Sequence, residues 1–262
     1  MADHPIGIFD SGVGGTSIWK EINALLPHES TIYLADSKNA PYGDRTKEEI
    51  VQLSIKNTEI LLGEGCKLIV VACNTATTNG IDYLRSHYQV PFIGIEPAIK
   101  PAALQSKSRK IGVLATKGTL SSLLFHSTAG NHAEGIRIFE QVGTGLVPLI
   151  ESGKASSPET RALLEEYLDP MVSAGIDCLV LGCTHYPYLI PLLKKILPAH
   201  IKIIDSGEAV ARQTKAVLMR NGLLSNSMDK TAHHFITNAD VEVLKGFFED
   251  GGVSLEIGYR DF

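Results

Sequence analysis

Residues 66–77 read CKLIVVACNTAT, and residues 178–187 read CLVLGCTHYP. Each stretch is a short run of mostly aliphatic residues that begins at one cysteine, reaches a second cysteine and continues into polar residues. An aliphatic run of four to eight residues without alternation is typical of a strand that is buried on both faces of a parallel sheet. The two stretches therefore predict an α/β protein in which the same strand-and-turn unit occurs twice.

Similar strands recur along the chain and alternate with helix-like stretches. The predicted strands cover residues 5–9, 30–35, 67–72, 91–95, 110–115, 177–181 and 201–204. The predicted helices cover residues 15–26, 46–63, 77–86, 98–105, 120–129, 160–174, 188–197 and 208–219. Buried strands that alternate with amphipathic helices indicate mainly parallel sheets with both faces covered.

The two halves of the chain match over further segments when they are aligned at an offset of about 110 residues. IGIF at 6–9 corresponds to IGVL at 111–114, and FIGIE at 92–96 corresponds to KIIDS at 202–206. Any parallel α/β protein repeats strand–loop–helix units, so these matches alone leave a chance resemblance open. Because the cysteine that ends the strand is repeated too, we favour two pseudo-symmetric α/β lobes with the active site in the cleft between them.

The composition and charge exclude several classes of protein. Of the 262 residues, 44% are hydrophobic and 20% are charged, which is typical of a folded chain rather than a disordered one. The 24 Lys and Arg against 29 Asp and Glu give a net charge of −5. Such a chain lacks the general basic surface of a nucleic-acid-binding protein, so we expect no nucleic acid partner.

The N-terminal residues and the apolar runs indicate the compartment. MADHP at 1–5 has neither the basic nor the apolar region of a signal peptide. The longest apolar runs are far shorter than the ~20 residues that span a bilayer. We therefore expect a cytoplasmic protein without membrane contact, in which the four cysteines are free thiols.

Cys73 and Cys183 are the most informative polar candidates, because ligands of open α/β sheets bind where the strands end. A free cysteine is often no more than a small buried hydrophobe, and we interpret Cys66 and Cys178, at the beginnings of the same strands, in that way. The repeated position of Cys73 and Cys183 favours chemistry instead. Helix N-termini lower the pKa of a thiol, so we expect the same of these two residues.

Two thiols that face one cleft from opposite lobes suit proton transfer at a carbon atom. A thiolate removes a proton from one face, and a thiol returns a proton to the other face. His185 is placed to relay the proton of Cys183, and Asp10 could do the same for Cys73. A metal ion held by Cys73, Cys183 and His185 is the competing interpretation, but their spacing is not standard for a metal, so we predict no metal site.

Three further segments are candidates for binding. DSGVGGT at 10–16 follows a strand and opens a helix, so its N–H groups could bind an anion, although it is neither a Walker A loop nor a dinucleotide motif. PYG at 41–43 could hold a carboxylate through its backbone and the Tyr42 phenol, or form an ordinary turn. Glu151 is either a surface carboxylate or a group that faces the cleft, and the sequence leaves both open.

From residue 6 to about residue 213 the chain resembles the glutamate racemase family, the cofactor-independent amino-acid racemases of cell-wall synthesis. Thr16 stands where a leucine is usual, and the region after Ser225 matches poorly. The resemblance rests on motifs in family order: DSGVGG (10–15), APYGDRT (40–46), ACNTAT (72–77), GIEPAIKPA (94–102), ATKGT (115–119), VPLIESG (147–153), GCTHYP (182–187) and DSGEAVA (205–211).

The resemblance implies an isomerase that interconverts L-glutamate and D-glutamate without a cofactor and supplies D-glutamate for peptidoglycan and cell shape. The catalytic acid and base would be Cys73 and Cys183, with Asp10, His185 and Glu151 assisting them. The substrate contacts would come from Asp10, Ser11, Tyr42, Gly43, Asn74, Thr75, Thr184 and His185.

The tail after Ala209 is helix-rich in pattern, carries no obvious site and follows no Pro-rich linker, so we expect it to pack on the first lobe. The resemblance implies the same arrangement. The first lobe would comprise residues 1–97 plus 208–262 and the second residues 98–207. A homodimer is the candidate assembly.

The sequence leaves two alternative functions to be weighed against glutamate racemisation. Aspartate racemase and its relatives share the two-cysteine plan, but their second motif typically has Glu after Cys-Thr, where this chain has His185. A non-catalytic protein that binds a small ligand between two α/β lobes would have no need for a cysteine at a strand end in each lobe.

Overall fold

The computed structural model describes residues 2–225, 231–248 and 255–262. Its central strands are short and fully buried, as the aliphatic runs of the sequence predict. The strands are β1 (Ile6–Asp10), β2 (Thr31–Ala35), β3 (Leu68–Val71), β4 (Phe92–Gly94), β5 (Lys110–Ala115), β6 (Arg137–Val142), β7 (Cys178–Gly182), β8 (Lys202–Ile204), β9 (His233–Thr237) and β10 (Leu255–Tyr259).

Helices connect most of these strands. Thr46 and Glu49 form a capping box that begins the long helix after β2, close to its predicted start. In the part of the chain that the structure describes, no helix is long and apolar enough to cross a membrane. The helices are α1 (Thr16–Leu25), α2 (Lys47–Gly63), α3 (Asn74–His87), α4 (Ile99–Gln105), α5 (Lys117–Leu120), α6 (Leu123–His132), α7 (Leu146–Glu151), α8 (Pro158–Ser173), α9 (Ile190–Ile196), α10 (Gly207–Arg220) and α11 (Val241–Lys245).

The strands form two sheets with a shared topology. The first has the order β10-β9-β2-β1-β3-β4 and the second the order β6-β5-β7-β8, and every strand pair is parallel. Apart from β9 and β10, each strand of the first sheet has its counterpart at the same place in the second. The predicted α/β class with parallel sheets is confirmed. In this correspondence β3, which precedes Cys73, matches β7, which precedes Cys183.

We call the six-stranded sheet with α1–α3, α10 and α11 the first lobe, and the four-stranded sheet with α4–α9 the second lobe. The boundaries at 97/98 and 207/208 stay a prediction. In the first lobe Ile8 packs with α1 and α10 on one face of the sheet, and Phe9 packs with α2 and α3 on the other. Burial of each such side chain stabilises the fold by about 1.5–3 kcal/mol. These packed layers hold the strand ends in place.

The C-terminal segment differs from the expected helix-rich tail. Helix α10 packs against α1, but the residues of β9 and β10 extend the first sheet beyond β2. Buried and more exposed positions alternate along β9, and β10 is only partly buried, as expected for strands towards the edge of a sheet. The tail therefore packs on the first lobe, as expected, but it does so partly by widening the sheet.

Three other elements differ from the prediction. The sequence patterns do not indicate β6, which is a partly exposed strand at the end of its sheet, or α7, which is six residues long and contains Pro148. Helix α3 begins at Asn74 rather than at residue 77. As a result, Cys73 is the N-cap residue of α3.

Candidate active site

A small cavity lies between the two lobes. Residues that follow β1, β3, β5 and β7 line it, because the carboxyl ends of parallel strands meet at one edge of each sheet. Its lining consists of Ser11, Pro41, Tyr42, Gly43, Cys73, Asn74, Thr75, Thr116, Val147, Cys183, Thr184 and His185.

Cys73 reaches this cavity from the first lobe. Its Sγ accepts a hydrogen bond from the N–H of Ala76 at 3.4 Å, and its thiol donates to Ser11 Oγ at 3.7 Å. Burial and the charge of Asp10 raise the pKa of this thiol, and they outweigh the Ala76 N–H and Ser11, which lower it. The expected lowering at the helix start is therefore wrong as a net effect, because burial dominates.

Cys183 reaches the cavity from the second lobe and is the first of three linked groups. Its Sγ lies 3.7 Å from His185 Nδ1, and His185 Nε2 lies 2.5 Å from Glu151 Oε1. Burial lowers the pKa of His185, but its hydrogen bonds to Cys183 and Glu151, with their charges, raise it well above its ordinary value. The imidazole is thus held between a thiol and a carboxylate, as a proton relay requires.

Glu151 faces the site rather than only the surface, which answers the question that the sequence leaves open. Its Oε1 accepts a hydrogen bond from the N–H of Val13 at 2.9 Å, in addition to the contact with His185. Its Oε2 lies 3.5 Å from Ser37 Oγ. The carboxylate therefore ties the second lobe to two loops of the first.

Asp10 is fully buried at the end of β1 and contacts both lobes. Its Oδ2 accepts from the N–H groups of Gly12 at 3.3 Å and Gly15 at 2.9 Å, and its Oδ1 accepts from the Thr184 hydroxyl at 3.2 Å. Burial raises the pKa of Asp10 in spite of the nearby His185 and the Gly15 N–H, which lower it. Because none of these hydrogen bonds goes to Cys73, Asp10 acts on that thiol through its charge rather than as a hydrogen-bonded relay.

Asn74 offers unused hydrogen-bonding capacity inside the cavity. Among the described residues, neither its Oδ1 nor its Nδ2 has a partner, although both atoms are buried. A buried polar group without a partner costs about 1–3 kcal/mol, so such groups are rare in folded proteins. The amide is therefore free to give one donor and one acceptor to a ligand.

Tyr42 lines the cavity in a different way from the one expected. Its hydroxyl donates to Asp36 Oδ2 at 2.5 Å and accepts from Asn57 Nδ2 at 3.0 Å, and burial together with Asp36 raises the pKa of the phenol well above its usual value. The Tyr42 hydroxyl therefore donates to the Asp36 carboxylate, and binding of a ligand carboxylate by the backbone of residues 41–43 stays a prediction. The neighbouring Gly43 allows close approach, since a Cβ there would lie 2.9 Å from Thr116 Cβ.

Thr75 connects the lobes through two hydroxyls that the motif patterns do not single out as site residues. Its Oγ1 lies 2.7 Å from Thr116 Oγ1 and 3.3 Å from Thr119 Oγ1, and the latter two lie 3.0 Å apart. The internal repeat contains a signal for Thr116, which occupies the position that corresponds to Ser11 in the first half. Thr119 has no such signal.

The glycine-rich turn after β1 lies directly against the second lobe. A Cβ at Gly12 would overlap the Glu151 carboxylate, and a Cβ at Gly14 would overlap the His185 ring. The two glycines thus allow the turn to pack on the residues that hold the relay. The Ser17 hydroxyl adds a hydrogen bond to the carbonyl of Thr184 at 2.9 Å.

A much wider cavity opens on the other side of Glu151, and we call it the outer cavity. Its walls include Trp19, Tyr188 and Phe248, and none of the four cysteines contributes to it. Because both thiols and the unpartnered amide face the smaller cavity, we assign the chemistry to the smaller one.

Comparisons with known proteins identify the family. Residues 6–214 match the family model described as Asp/Glu/hydantoin racemase. The chain is 46% identical over 240 residues to the glutamate racemase of Herpetosiphon aurantiacus, which covers 92% of this chain and 94% of that protein.

Solved structures of glutamate racemases share the fold over nearly the whole chain. The glutamate racemase isoform RacE1 of Bacillus anthracis superposes with a TM-score of 0.86 at 30% identity, covering 98% of this chain and 97% of that one. The Escherichia coli glutamate racemase, solved with L-glutamate and an activator, gives a TM-score of 0.84 at 31% identity, with coverage of 97% and 99%. The chain therefore belongs to the Asp/Glu/hydantoin racemase family.

Proposed function

We propose that this protein is a glutamate racemase, an isomerase that interconverts L-glutamate and D-glutamate and supplies D-glutamate for peptidoglycan. One observation carries the chemistry: two cysteines at equivalent strand ends of two pseudo-symmetric lobes line the same small cavity. The family match and relatives that bear this name over nearly their full length support the choice of substrate.

The reaction needs one thiolate and one thiol. The thiolate of one cysteine takes the α-proton, and the electron pair of the broken C–H bond stays on the substrate as a carbanion. The thiol of the other cysteine gives its proton to the opposite face of the same carbon, which forms the mirror-image product. In the reverse direction Cys73 and Cys183 exchange roles. His185 assists Cys183 directly, and Asp10 influences Cys73 by its charge.

Binding of a dicarboxylate to a protein of net charge −5 requires local donors. The Asn74 amide is unpartnered, and the hydroxyls of Ser11 and Thr75 line the same cavity. Thr184 lines it too, although its hydroxyl donates to Asp10. Each hydrogen bond to a carboxylate contributes about 1.5–3 kcal/mol, so a few of them suffice to orient the substrate. The homodimer and the cytoplasmic location stay predictions.

The function is tested by incubating the purified protein in D₂O with each enantiomer of glutamate, without pyridoxal phosphate or added metal. We expect loss of the α-proton signal in the NMR spectrum together with formation of the other enantiomer. If neither exchange nor inversion occurs with glutamate, the proposal is wrong. Inversion of aspartate alone would assign the protein to the rival aspartate racemases.

A chelator gives the complementary test of the metal interpretation. We expect full activity after treatment with a chelator, because the proposed steps use only thiols, an imidazole and carboxylates. Loss of activity that added zinc restores would favour a metal site at Cys73, Cys183 and His185.

A further inference from the structure

Glu151 stands between the small cavity and the outer cavity. Its Oε1 contacts His185 on the inner side, yet its side chain is 17% exposed and forms part of the wall of the outer cavity. His185, by contrast, is only 1% exposed. A continuous series of groups that can carry a proton therefore leads from Cys183 through His185 and Glu151 to the outer cavity.

Cys73 has no comparable connection among the described residues. Its side-chain hydrogen-bond partners are the Ser11 hydroxyl and the N–H of Ala76. The N–H cannot carry a proton onward, and the Ser11 hydroxyl has no second hydrogen-bond partner among the described residues to which it could pass one. Asp10, which acts on it by charge, is fully buried and faces Gly12, Gly15 and Thr184. The two thiols thus differ in their access to solvent protons.

We infer that Glu151 and His185 form a proton path that connects Cys183, but not Cys73, with solvent in the outer cavity while the small cavity is occupied. The Cys183 thiol proton passes to His185 Nδ1, the Nε2 proton passes to Glu151 Oε1, and the carboxylic acid releases a proton to water. The same transfers in reverse return a proton to the Cys183 thiolate. Glu151 touches no reacting atom and acts through His185, so it is a positioning residue.

The raised pKa of His185 fits this path, because an imidazolium is the intermediate between the thiol and the carboxylate.

The inference rests on the proposed racemisation and deepens it. A two-base racemase finishes each turnover with its two thiols in exchanged protonation states, and they must be returned before the next turnover in the same direction. A path to solvent at one thiol speeds that return.

The test compares exchange with inversion in D₂O, starting from each pure enantiomer. At early times two quantities are measured by chiral separation and mass spectrometry: the product formed, and the deuterium in the unreacted substrate. A base thiol that exchanges its proton before returning it labels the substrate without inverting it. We expect the ratio of substrate labelling to inversion to be larger for the enantiomer whose proton goes to Cys183.

Glu151→Gln keeps the shape of the side chain and an oxygen acceptor for His185 but cannot carry a proton. We expect it to lower the labelling ratio of that enantiomer by about tenfold and to leave the ratio of the other enantiomer unchanged. Glu242→Gln is the matched control, because Glu242 lines the outer cavity and pairs with Lys245 rather than with His185. It should change neither ratio.

Glu151→Ala with added formate gives a second measurement. Formate can enter from the outer cavity and replace the missing carboxylate, so it should restore the labelling ratio, whereas formamide, which is neutral, should not. Equal ratios for the two enantiomers in the wild-type protein, or a ratio that Glu151→Gln leaves unchanged, would overturn the inference. Absence of both labelling and inversion in the wild type would instead overturn the proposed function.

Discussion

Cys73 and Cys183 occupy equivalent strand ends, but their surroundings differ. Cys73 faces a hydroxyl and a buried carboxylate, and burial raises the pKa of its thiol. Cys183 faces an imidazole that is itself paired with a carboxylate. The Cys73 thiol therefore loses its proton less readily than a free thiol, whereas the Cys183 thiol has a group beside it that can accept its proton.

The first prediction at this scale concerns the thiols themselves. Cys73→Ala and Cys183→Ala should each lower the rate of racemisation by about a thousandfold or more, because each removes one of the two proton carriers. The assay follows the change in optical rotation of glutamate, with far-ultraviolet circular dichroism as the check on folding.

The other two cysteines are the matched controls for this prediction. Cys66 lies just before β3, and Cys178 is the first residue of β7. Both are buried, and Cys66 packs against Gly7. Their replacement by Ala should lower the free energy of unfolding by about 1 kcal/mol and leave the rate of racemisation within about twofold. Full activity in either Cys73→Ala or Cys183→Ala would contradict the two-base mechanism.

A second prediction concerns the pKa of Cys73. The Asp10 charge raises this pKa and Ser11 lowers it, so Asp10→Asn and Ser11→Ala should shift it in opposite directions. We expect the midpoint of thiolate formation to fall in Asp10→Asn and to rise in Ser11→Ala. The measurement is the ultraviolet absorbance of the thiolate against pH, as the difference from the same protein with Cys73→Ser.

The sign follows from the charges. Thiolate next to a carboxylate is disfavoured, so removal of that charge populates the thiolate at a lower pH. Thiolate that accepts the Ser11 hydroxyl is favoured, so removal of the hydroxyl depopulates it. Shifts of the same sign in both variants would show that burial alone controls the thiol.

At the scale of elements, the turn between β1 and α1 leaves little room for added side-chain atoms. Gly14 lies where a Cβ would overlap the His185 ring, whereas Gly130, in α6, has no atom within 4 Å of such a Cβ. Gly14→Ala should therefore push His185 away from Cys183 and lower kcat by about a hundredfold, in the range expected when one acid–base group is displaced. Steady-state kinetics and the pH profile of kcat measure the effect.

Gly130→Ala tests the same substitution where space is available. In a helix the change from Gly to Ala removes an entropic cost, so we expect the free energy of unfolding to rise by about 0.5–1 kcal/mol with no change in kcat. The measurement is urea unfolding followed by circular dichroism. If Gly14→Ala kept the kcat of the wild type, the close contact with His185 would have no catalytic importance.

The sequence predicts best those strands in which every residue is apolar because both faces of the sheet are buried. Aliphatic runs such as residues 68–71 are buried on both faces, and β3 follows them closely. β6 and β9 escape prediction because they mix polar and apolar residues and lack the continuous aliphatic run of the central strands. Helix α7 escapes because six residues with an internal proline carry too little periodicity.

At the scale of the whole molecule, the candidate site exists only where the lobes meet. The strand-end residues Asp10, Cys73 and Cys183 are predictable, since parallel sheets bring strand ends to one edge. Contacts such as Glu151 with Val13 or Thr75 with Thr119 join segments far apart in the chain. No local pattern encodes the relative placement of the lobes, so the sequence does not reveal them.

The contact of Thr119 with Thr75 leads to a prediction about that placement. Thr119 is fully buried in the second lobe, joins Thr75 and Thr116 by hydrogen bonds, and does not line the small cavity. Thr119→Val should weaken the contact between the two lobes by about 1 kcal/mol and so lower kcat/KM by about fivefold. Since the equilibrium constant of racemisation is one, kcat/KM must fall equally for both enantiomers. Thr58→Val is the control, because the buried Thr58 hydroxyl has no partner among the described residues, and its loss should leave kcat/KM unchanged. An equal fall in both variants, or none in Thr119→Val, would show that these hydroxyls do not hold the lobes together.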